Sequence, residues 1–325
     1  MARPQAVLAA LALAALPAAV RAEPLDLSLL KLGAPSASVW GALDTADTGV
    51  TLAAGAAEAL AAEAKTRFAV LSVETALAFS AAILQPASTT GVAGWDVAFE
   101  AAYVGVHPKP IGETSFGTAF APRGPWQTKG LVPNELFLTG FHVRKALPYS
   151  LELGGRFTYL SQSNYGAAQV EGKWAALEGF KSWPDVAVRG AYTAVLGQRD
   201  WNLGALEADL LVSKRFGLNA VASVTPYLAV RWSRVTASSE VLDFGPAATP
   251  AIPNDTQAAF PELSASLMRY TLGARLAAST LSVALEGTLF PGATVAGKAS
   301  PAADEYPDVE LAKSWGVGGR FGWEF

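Results

Sequence analysis

The chain has 325 residues, 51% of them hydrophobic and 16% charged, with 30 glycines, two histidines, no cysteine and a formal net charge of −4. A chain this apolar is not disordered, and its dispersed glycines do not suit a helical membrane bundle. Zero cysteine removes disulfide scaffolds, thiolate metal sites and cysteine nucleophiles, and the slight acidity removes a general nucleic-acid surface.

Residues 1–22 read as a secretory signal. Arg3 supplies the positive charge, Val7 to Leu16 the apolar stretch, and Val20-Arg21-Ala22 a small-residue cleavage site before Glu23. The apolar run is short for a membrane anchor, which needs roughly 20 residues. No cysteine follows the cleavage site, so a lipid anchor there is excluded. The mature chain divides into an N-terminal segment, residues 23–66, and a longer part, residues 67–325. Ala53 to Lys65 is rich in Ala and Glu without a period of two, which predicts a short helix acting as a plug or lying in the periplasm. Phe68 to Leu84, interrupted by Glu74, fits one more strand, a strand pair or a continuation of that helix.

From Trp95 onward the pattern alternates with a period of two, which puts successive side chains on opposite faces of a strand. At the C-terminus Trp315, Val317, Gly319, Phe321, Trp323 and Phe325 share one face, and Gly316, Gly318, Arg320, Gly322 and Glu324 share the other. Similar alternation marks Leu281–Leu289, Arg269–Leu276, Val224–Ser233, Leu206–Arg215, Asp185–Thr193 and Tyr149–Tyr159, and weaker copies mark Tyr165–Leu177, Glu135–Lys145 and Trp95–Val106. These ten segments have the length that crosses a bilayer at a tilt. The fold expected is therefore all-β, a transmembrane antiparallel up-and-down β-barrel with a short N-terminal helix. Because single-chain bacterial barrels have even strand numbers, twelve strands are preferred, with ten and fourteen as the alternatives.

The connections separate in the same way. Leu147-Pro148, Gly217-Leu218-Asn219 and Ser279-Thr280 are short turns, whereas His107–Pro133, Val235–Ala265 and Pro291–Glu310 are long. Counting back from a descending last strand puts the short turns in the periplasm and the long loops outside, as in the outer membrane. A soluble β-sandwich also alternates. The signal and the aromatics Tyr149, Tyr159, Trp232, Tyr270, Trp315 and Phe325 near strand ends favour the barrel, because they suit interfacial girdles.

The terminal Phe325, preceded by Trp323 and Phe321, resembles the last strand of Gram-negative outer-membrane β-barrels. That resemblance implies an outer-membrane location, lipid as the surrounding partner, and recognition of Phe321, Trp323 and Phe325 by the barrel-assembly machinery. The stretch Arg144 to Gly217, with its runs RKALPYSLELGG, EGKWAALEGF and PDVAVRGAY, also resembles uncharacterised exported barrel proteins. This second resemblance carries no function.

Enzymatic chemistry is poorly supplied. His107 precedes a proline, and His142 lies on the charged face of its strand without the nearby serine that a lipid-processing barrel enzyme carries. Asp200 and Asp243 lie near loops, without the second pairing an omptin-like protease needs. The glycines of Gly316–Gly322 precede no helix, so they are not a dinucleotide loop; they suit strand curvature or close approach of lumen contents. No cofactor or metal is expected.

By parity, the inner wall carries Asp96, Glu100, Arg144, Glu152, Arg156, Arg189, Glu207, Asp209, Arg231, Arg269, Arg275, Glu286 and Arg320, together with Glu171, Lys173, Asp185, Arg215 and Glu324. Two readings follow. The charges line a narrow channel or transporter for small solutes or lipids, with Arg231, Arg269, Arg275 and Arg320 as a basic stripe favouring anions. Alternatively they pair across a closed interior, and the barrel anchors a surface or envelope complex through Val235–Ala265 and Pro291–Glu310. A third reading, an outer-membrane hydrolase using either histidine as base, lacks a visible partner.

Overall fold

The computed structural model describes residues 25–45, 54–80, 82–107, 109, 125–126, 133–180, 182–218, 221–245, 256–295, 306 and 308–325. The signal expected at residues 1–22 lies outside them. Ten strands form the wall: β1 (Trp95–Gly105), β2 (Glu135–Leu147), β3 (Leu151–Leu160), β4 (Gly166–Leu177), β5 (Asp185–Leu196), β6 (Trp201–Ser213), β7 (Ala222–Ser239), β8 (Leu263–Ala278), β9 (Leu281–Phe290) and β10 (Ser314–Glu324). Each pairs antiparallel with its sequence neighbours, and β10 pairs with β1, so the sheet closes on itself. Phe216–Gly217 adds a two-residue strand outside the ring, against β7. All ten alternating segments are strands of this wall.

The preferred count of twelve gives way to ten because Phe68 to Leu84 adds no strand. It continues a helix: α1 (Ala37–Thr45) is followed by α2 (Ala56–Phe79), 24 residues long. From Arg67 to Phe79 every side chain of α2 is buried. A helix enclosed on all sides needs no amphipathic stripe, which is why its period is unreadable. The boundary drawn at residues 66 and 67 therefore falls inside α2, and the first wall strand starts at Trp95.

The outer surface of the wall is apolar. Phe99, Leu153, Phe157, Leu228, Leu272 and Leu285 each expose more than half of their surface. Near the short-turn end, the Phe99 ring meets Phe141 at 5.4 Å and Trp323 at 6.5 Å. Along β7 the outward file runs Leu228, Val230, Trp232 and then becomes polar at Arg234 and Thr236; along β8 it turns polar beyond Met268, at Ser266 and Ser264. Trp232 and Tyr270 thus mark an edge of the apolar band, and Tyr270 stands level with Leu289, which pairs with Trp315. Beyond that edge, β7 and β8 project past the band as a polar-faced hairpin. No described helix is long and apolar enough to cross a membrane. The strands supply the crossing surface, and closure leaves no unpaired edge in it.

The three longest connections share one end of the wall. Residues 148–150, 178–184, 214–221 and 279–280 join strands at one end, here the turn end; 106–134, 161–165, 197–200, 240–262 and 291–313 join them at the other, the loop end. Two small hairpins stand in the long loops, Leu242–Asp243 against Gln257–Ala258 and Ala293–Val295 against Val309–Leu311.

Inside, Gly273 on β8 faces Tyr227 on β7 in direct register. A Cβ at Gly273 would stand 2.3 Å from Cζ of the Tyr227 ring, which crosses the glycine so that its hydroxyl reaches Glu286 at 2.9 Å. Gly273→Val is expected to evict that ring and cost about 1–3 kcal/mol, read as a lower urea midpoint of the refolded barrel in detergent.

Candidate functional site

Among the described residues the inward face carries eight buried carboxylates, Asp96, Glu100, Glu152, Glu171, Asp185, Glu207, Asp209 and Glu286, and seven buried cations, Arg144, Arg156, Lys173, Arg189, Arg231, Arg269 and Arg320. All but Asp185 and Glu286 join two chains of ion pairs. In one, Asp96 bridges Arg320 and Arg144, and Glu152 joins Arg144 at 3.3 Å to Lys173 at 2.5 Å. In the other, Arg156 meets Glu100 at 2.9 Å, His142 spans Glu100 at 3.0 Å and Glu171 at 3.1 Å, and Arg189 meets Glu171 at 2.6 Å. Arg189 continues to Asp209, which also holds Arg231; Arg231 reaches Glu207 at 3.3 Å, and Glu207 holds Arg269 at 3.0 Å. Toward the turn end Arg275 pairs with Glu324, and Asp185 accepts from the Gly179 N–H at 3.0 Å. The basic stripe read from Arg231, Arg269, Arg275 and Arg320 is thus neutralised residue by residue. Arg215 lies beyond β6, exposed, and donates to Ser223.

The space between the walls is occupied by the chain itself. On the loop side α2 lies in an apolar chamber, where the Phe68 ring stacks on Phe260 at 4.5 Å and tilts toward Trp201 at 5.8 Å. After Phe79 the helix stops, and Ser80 and residues 82–94 form a strap bonded to the wall that leads to β1. Arg269 donates to the Leu77 and Ser80 carbonyls at 3.0 Å each, and Arg231 donates to Ser80 as well. These two guanidiniums sit at the C-terminal end of α2, where the helix dipole favours positive charge. Arg156 donates to the carbonyls of Ala82 and Ile83. Leu84 has φ 52°, a left-handed conformation, directly after two successive N–H groups that meet one acceptor. Glu286 receives both, Ile83 at 2.8 Å and Leu84 at 2.6 Å.

Gln85 joins the two ion-pair chains: its amide donates to Glu171 at 3.0 Å, and its carbonyl oxygen accepts from Lys173 at 3.1 Å and from Arg144. Farther along, Lys173 donates to the Ser88 carbonyl at 3.0 Å, Ser213 accepts from the Ala87 N–H at 3.1 Å, and Glu178 accepts from the Thr89 N–H at 2.5 Å. Ile83 and Ala87 fill a pocket of small wall residues, Ala175, Ala187 and Ala229, with Leu211. The strap passes over Gly318, where a Cβ would be in van der Waals contact with Ala82 at 3.4 Å and Leu84 at 3.5 Å. The voids left between strap, helix and wall near Ala82 and near Leu77 measure about 20 and 10 Å³, the scale of one water molecule. A larger cavity of about 500 Å³ opens at the turn end, lined by Glu178, Lys214, Arg215 and Arg275, and ends against Ser88, Thr89 and Thr90 of the strap.

A second junction holds the plug at the loop end. Glu74 of α2 accepts from the Trp126 indole at 2.5 Å, from the His107 backbone N–H at 3.2 Å and from His107 Nδ1 at 2.8 Å. The bond to Glu74 raises the pKa of His107, with partial burial and Lys109 opposing and the Lys313 backbone assisting. Both histidines are thus bonded to carboxylates, His107 to Glu74 and His142 to Glu100 and Glu171. Asp243 closes its own hairpin, accepting from Gly245 N–H at 2.9 Å and Thr256 hydroxyl at 2.7 Å. Among the described residues no cluster is arranged to hold a metal ion.

Parity thus located the charges of the wall but missed what answers them: Ser80, Ile83, Leu84, Gln85, Glu74 and Tyr227. Most of these act through main-chain atoms or a single carboxylate, which no residue pattern advertises. Tyr227 had a readable signal, an aromatic on the polar face of its strand.

Ten antiparallel strands closed on themselves, apolar outside and ionic inside, define a membrane-spanning β-barrel of the outer-membrane type. No family model matches the sequence, and no curated protein matches it. Among solved structures the chain is similar to the attachment invasion locus protein Ail of Yersinia pestis, at 11% identity over 72% of this chain and 100% of that one, with a TM-score of 0.25. It is similar to Neisserial surface protein A at 10% identity over 71% and 97% of the two chains, TM-score 0.27, and to OprG of Pseudomonas aeruginosa at 10% over 74% and 99%, TM-score 0.25. None of these likenesses bears on function, and the barrel stands on its own strand pairing.

Arg189 is held by Glu171 and Asp209 with no solvent access. Arg189→Leu leaves both carboxylates short of a partner and is expected to cost about 3–5 kcal/mol, measured by urea unfolding in detergent. His107 gives a pH dependence of defined sign. Because its pKa is raised in the folded state, its contribution is full below the ordinary histidine value of about 6.5 and is lost as pH climbs through the raised value. The thermal midpoint is expected to fall across that window, and His107→Gln to flatten the slope.

Proposed function

We propose that the protein is an outer-membrane barrel, exported by a cleaved signal at residues 1–22, that works as a closed anchor. The loop end faces the exterior and carries a contact surface for a surface or envelope complex. The observation that supports this reading is the strap: Ser80 and residues 82–89 answer the charges of the wall from the end of α2 to the turn-end cavity, and the voids beside Leu77 and Ala82 are water-sized. The alternation of carboxylates and cations along the described wall also leaves the interior without a dominant sign to select an ion. At the loop end, α1, the start of α2 and the hairpin at Leu242–Asp243 share an apolar cluster of Trp40, Val39, Leu60, Phe244 and Ala258, a folded cap suited to contact. Lipid surrounds the band, and Phe321, Trp323 and Phe325, all facing outward, form the face that barrel-assembly machinery would read.

A second reading, a gated channel for small solutes, is favoured by one observation, the polar cavity of about 500 Å³ at the turn end that stops against the strap. Transport through it requires the strap to leave. Planar-bilayer recordings separate the readings. The full chain is expected to be silent, and so is a variant lacking residues 25–66, because the rest of α2 and the strap remain. Steady current from the full chain would sink the closed anchor. A variant lacking residues 25–90 that keeps the heat-dependent gel shift of a folded barrel and still conducts nothing would sink the gated channel.

A further inference from the structure

The two ends of the segment that fills the lumen lie at opposite ends of the barrel. At one end three successive residues are bound to the loop joining β3 and β4, at the loop end of the wall: the Leu25 N–H donates to the Gln162 carbonyl at 2.9 Å, Asp26 accepts from the Asn164 backbone N–H and side-chain amide at 2.9 Å each, and the Leu27 N–H donates to the Tyr165 hydroxyl at 2.9 Å. At the other end the Trp95 N–H donates to the Phe325 carbonyl at 2.6 Å, at the turn end. Between them the chain passes through the inside of the wall as α2 and the strap. A polypeptide delivered from the turn side can reach this arrangement only if residues 25–79 travel past the strap position to the loop side, by threading or by closure of the wall around them.

We propose that the barrel displays its own N-terminal segment: the lumen is the passage by which the chain ahead of β1 crosses the membrane, and the stretch that begins at Leu25 is presented on the outer face. The wall is suited to such a passage because it grips the strap largely by main-chain atoms. Cations take carbonyl oxygens at Leu77, Ser80, Ala82, Ile83 and Ser88, and carboxylates take N–H groups at Ile83, Leu84 and Thr89. Contacts of that kind depend on the polarity of the backbone and little on which side chains go by. Asp26 and Tyr165 then fix the exit, because both are buried at the rim and bonded to each other's segment. Cleavage after Ala22 would start the chain two residues ahead of Leu25.

The proposal rests on the outer-membrane reading, and the absence of native cysteine allows both to be tested in the full chain with single substitutions. Leu30→Cys probes the N-terminal segment, Val241→Cys a loop-end connection and Val221→Cys a turn-end connection; all three side chains are exposed. Intact cells are treated with a membrane-impermeant maleimide, and folding of each variant is checked by its heat-dependent gel shift. The expected result is that Leu30→Cys and Val241→Cys label in intact cells while Val221→Cys labels only after permeabilisation. If Leu30→Cys instead labels only after permeabilisation, together with Val221→Cys, display is overturned and the anchored barrel stands. If Val241→Cys itself fails to label in intact cells, or Val221→Cys labels without permeabilisation, the orientation is wrong and both readings fall.

Discussion

A chain that crosses the inside of a membrane barrel without helix or sheet must have each N–H and C=O answered by something other than water. In this protein the answer comes from ionised side chains on the wall. An unpaired buried polar group costs roughly 1–3 kcal/mol, and an unpaired buried charge costs more. Strap and wall therefore solve each other's problem. Arg231 and Arg269 need acceptors beyond Glu207 and Asp209, and the open C-terminal carbonyls of α2 supply them. Glu286, which has no ion-pair partner among the described residues, takes the N–H groups of Ile83 and Leu84 and the hydroxyl of Tyr227. Gln85 then ties the two chains of ion pairs to each other through one amide.

This dependence divides the interior into two layers with different physics. On the loop side, α2 is held by apolar contact, with Phe68 between Phe260 and Trp201 and a single buried carboxylate, Glu74, clamped by His107 and Trp126. On the turn side the strap is held by charge. Apolar contact gives the helix affinity for its chamber with little directional demand. The ionic layer supplies direction, because reversing the strap would set carbonyls against carboxylates and N–H groups against cations. Buried ion pairs are weak evidence for stability, and specification of one strap path is the stronger account of why so many charges are kept here.

Much of the wall was legible in the sequence because a strand with lipid on one side and a polar interior on the other must alternate. Leu281, Val283 and Leu285 against Ser282, Ala284 and Glu286 is that constraint written out. The aromatics at Trp232 and Tyr270 were readable for the same reason, since they stand where the outward file changes character. The plug was not legible. From Arg67 to Phe79 all sides of α2 are enclosed, so no periodic contrast survives, and the same residues read equally well as strand. That ambiguity made twelve strands look better than ten. The contacts of the strap were hidden for another reason: Ile83 and Leu84 bind through their backbones, and their side chains say only that they are apolar.

The position of Leu84 shows how local strain and global arrangement meet. A left-handed backbone at a non-glycine residue costs on the order of 1–3 kcal/mol, and nothing in the residue type favours it. It follows directly on the anchor where the Ile83 and Leu84 N–H groups meet Glu286, which Tyr227 also bonds, and the Leu84 side chain lies over Gly318, the register partner of Glu286. Gly273 in turn makes room for the ring of Tyr227. Gly318, read from sequence as a place of close approach or curvature, does lie under the strap, whereas Gly273, which the sequence did not single out, is the space into which the support of the strap fits. The wall is shaped to its contents, and the contents belong to the same chain.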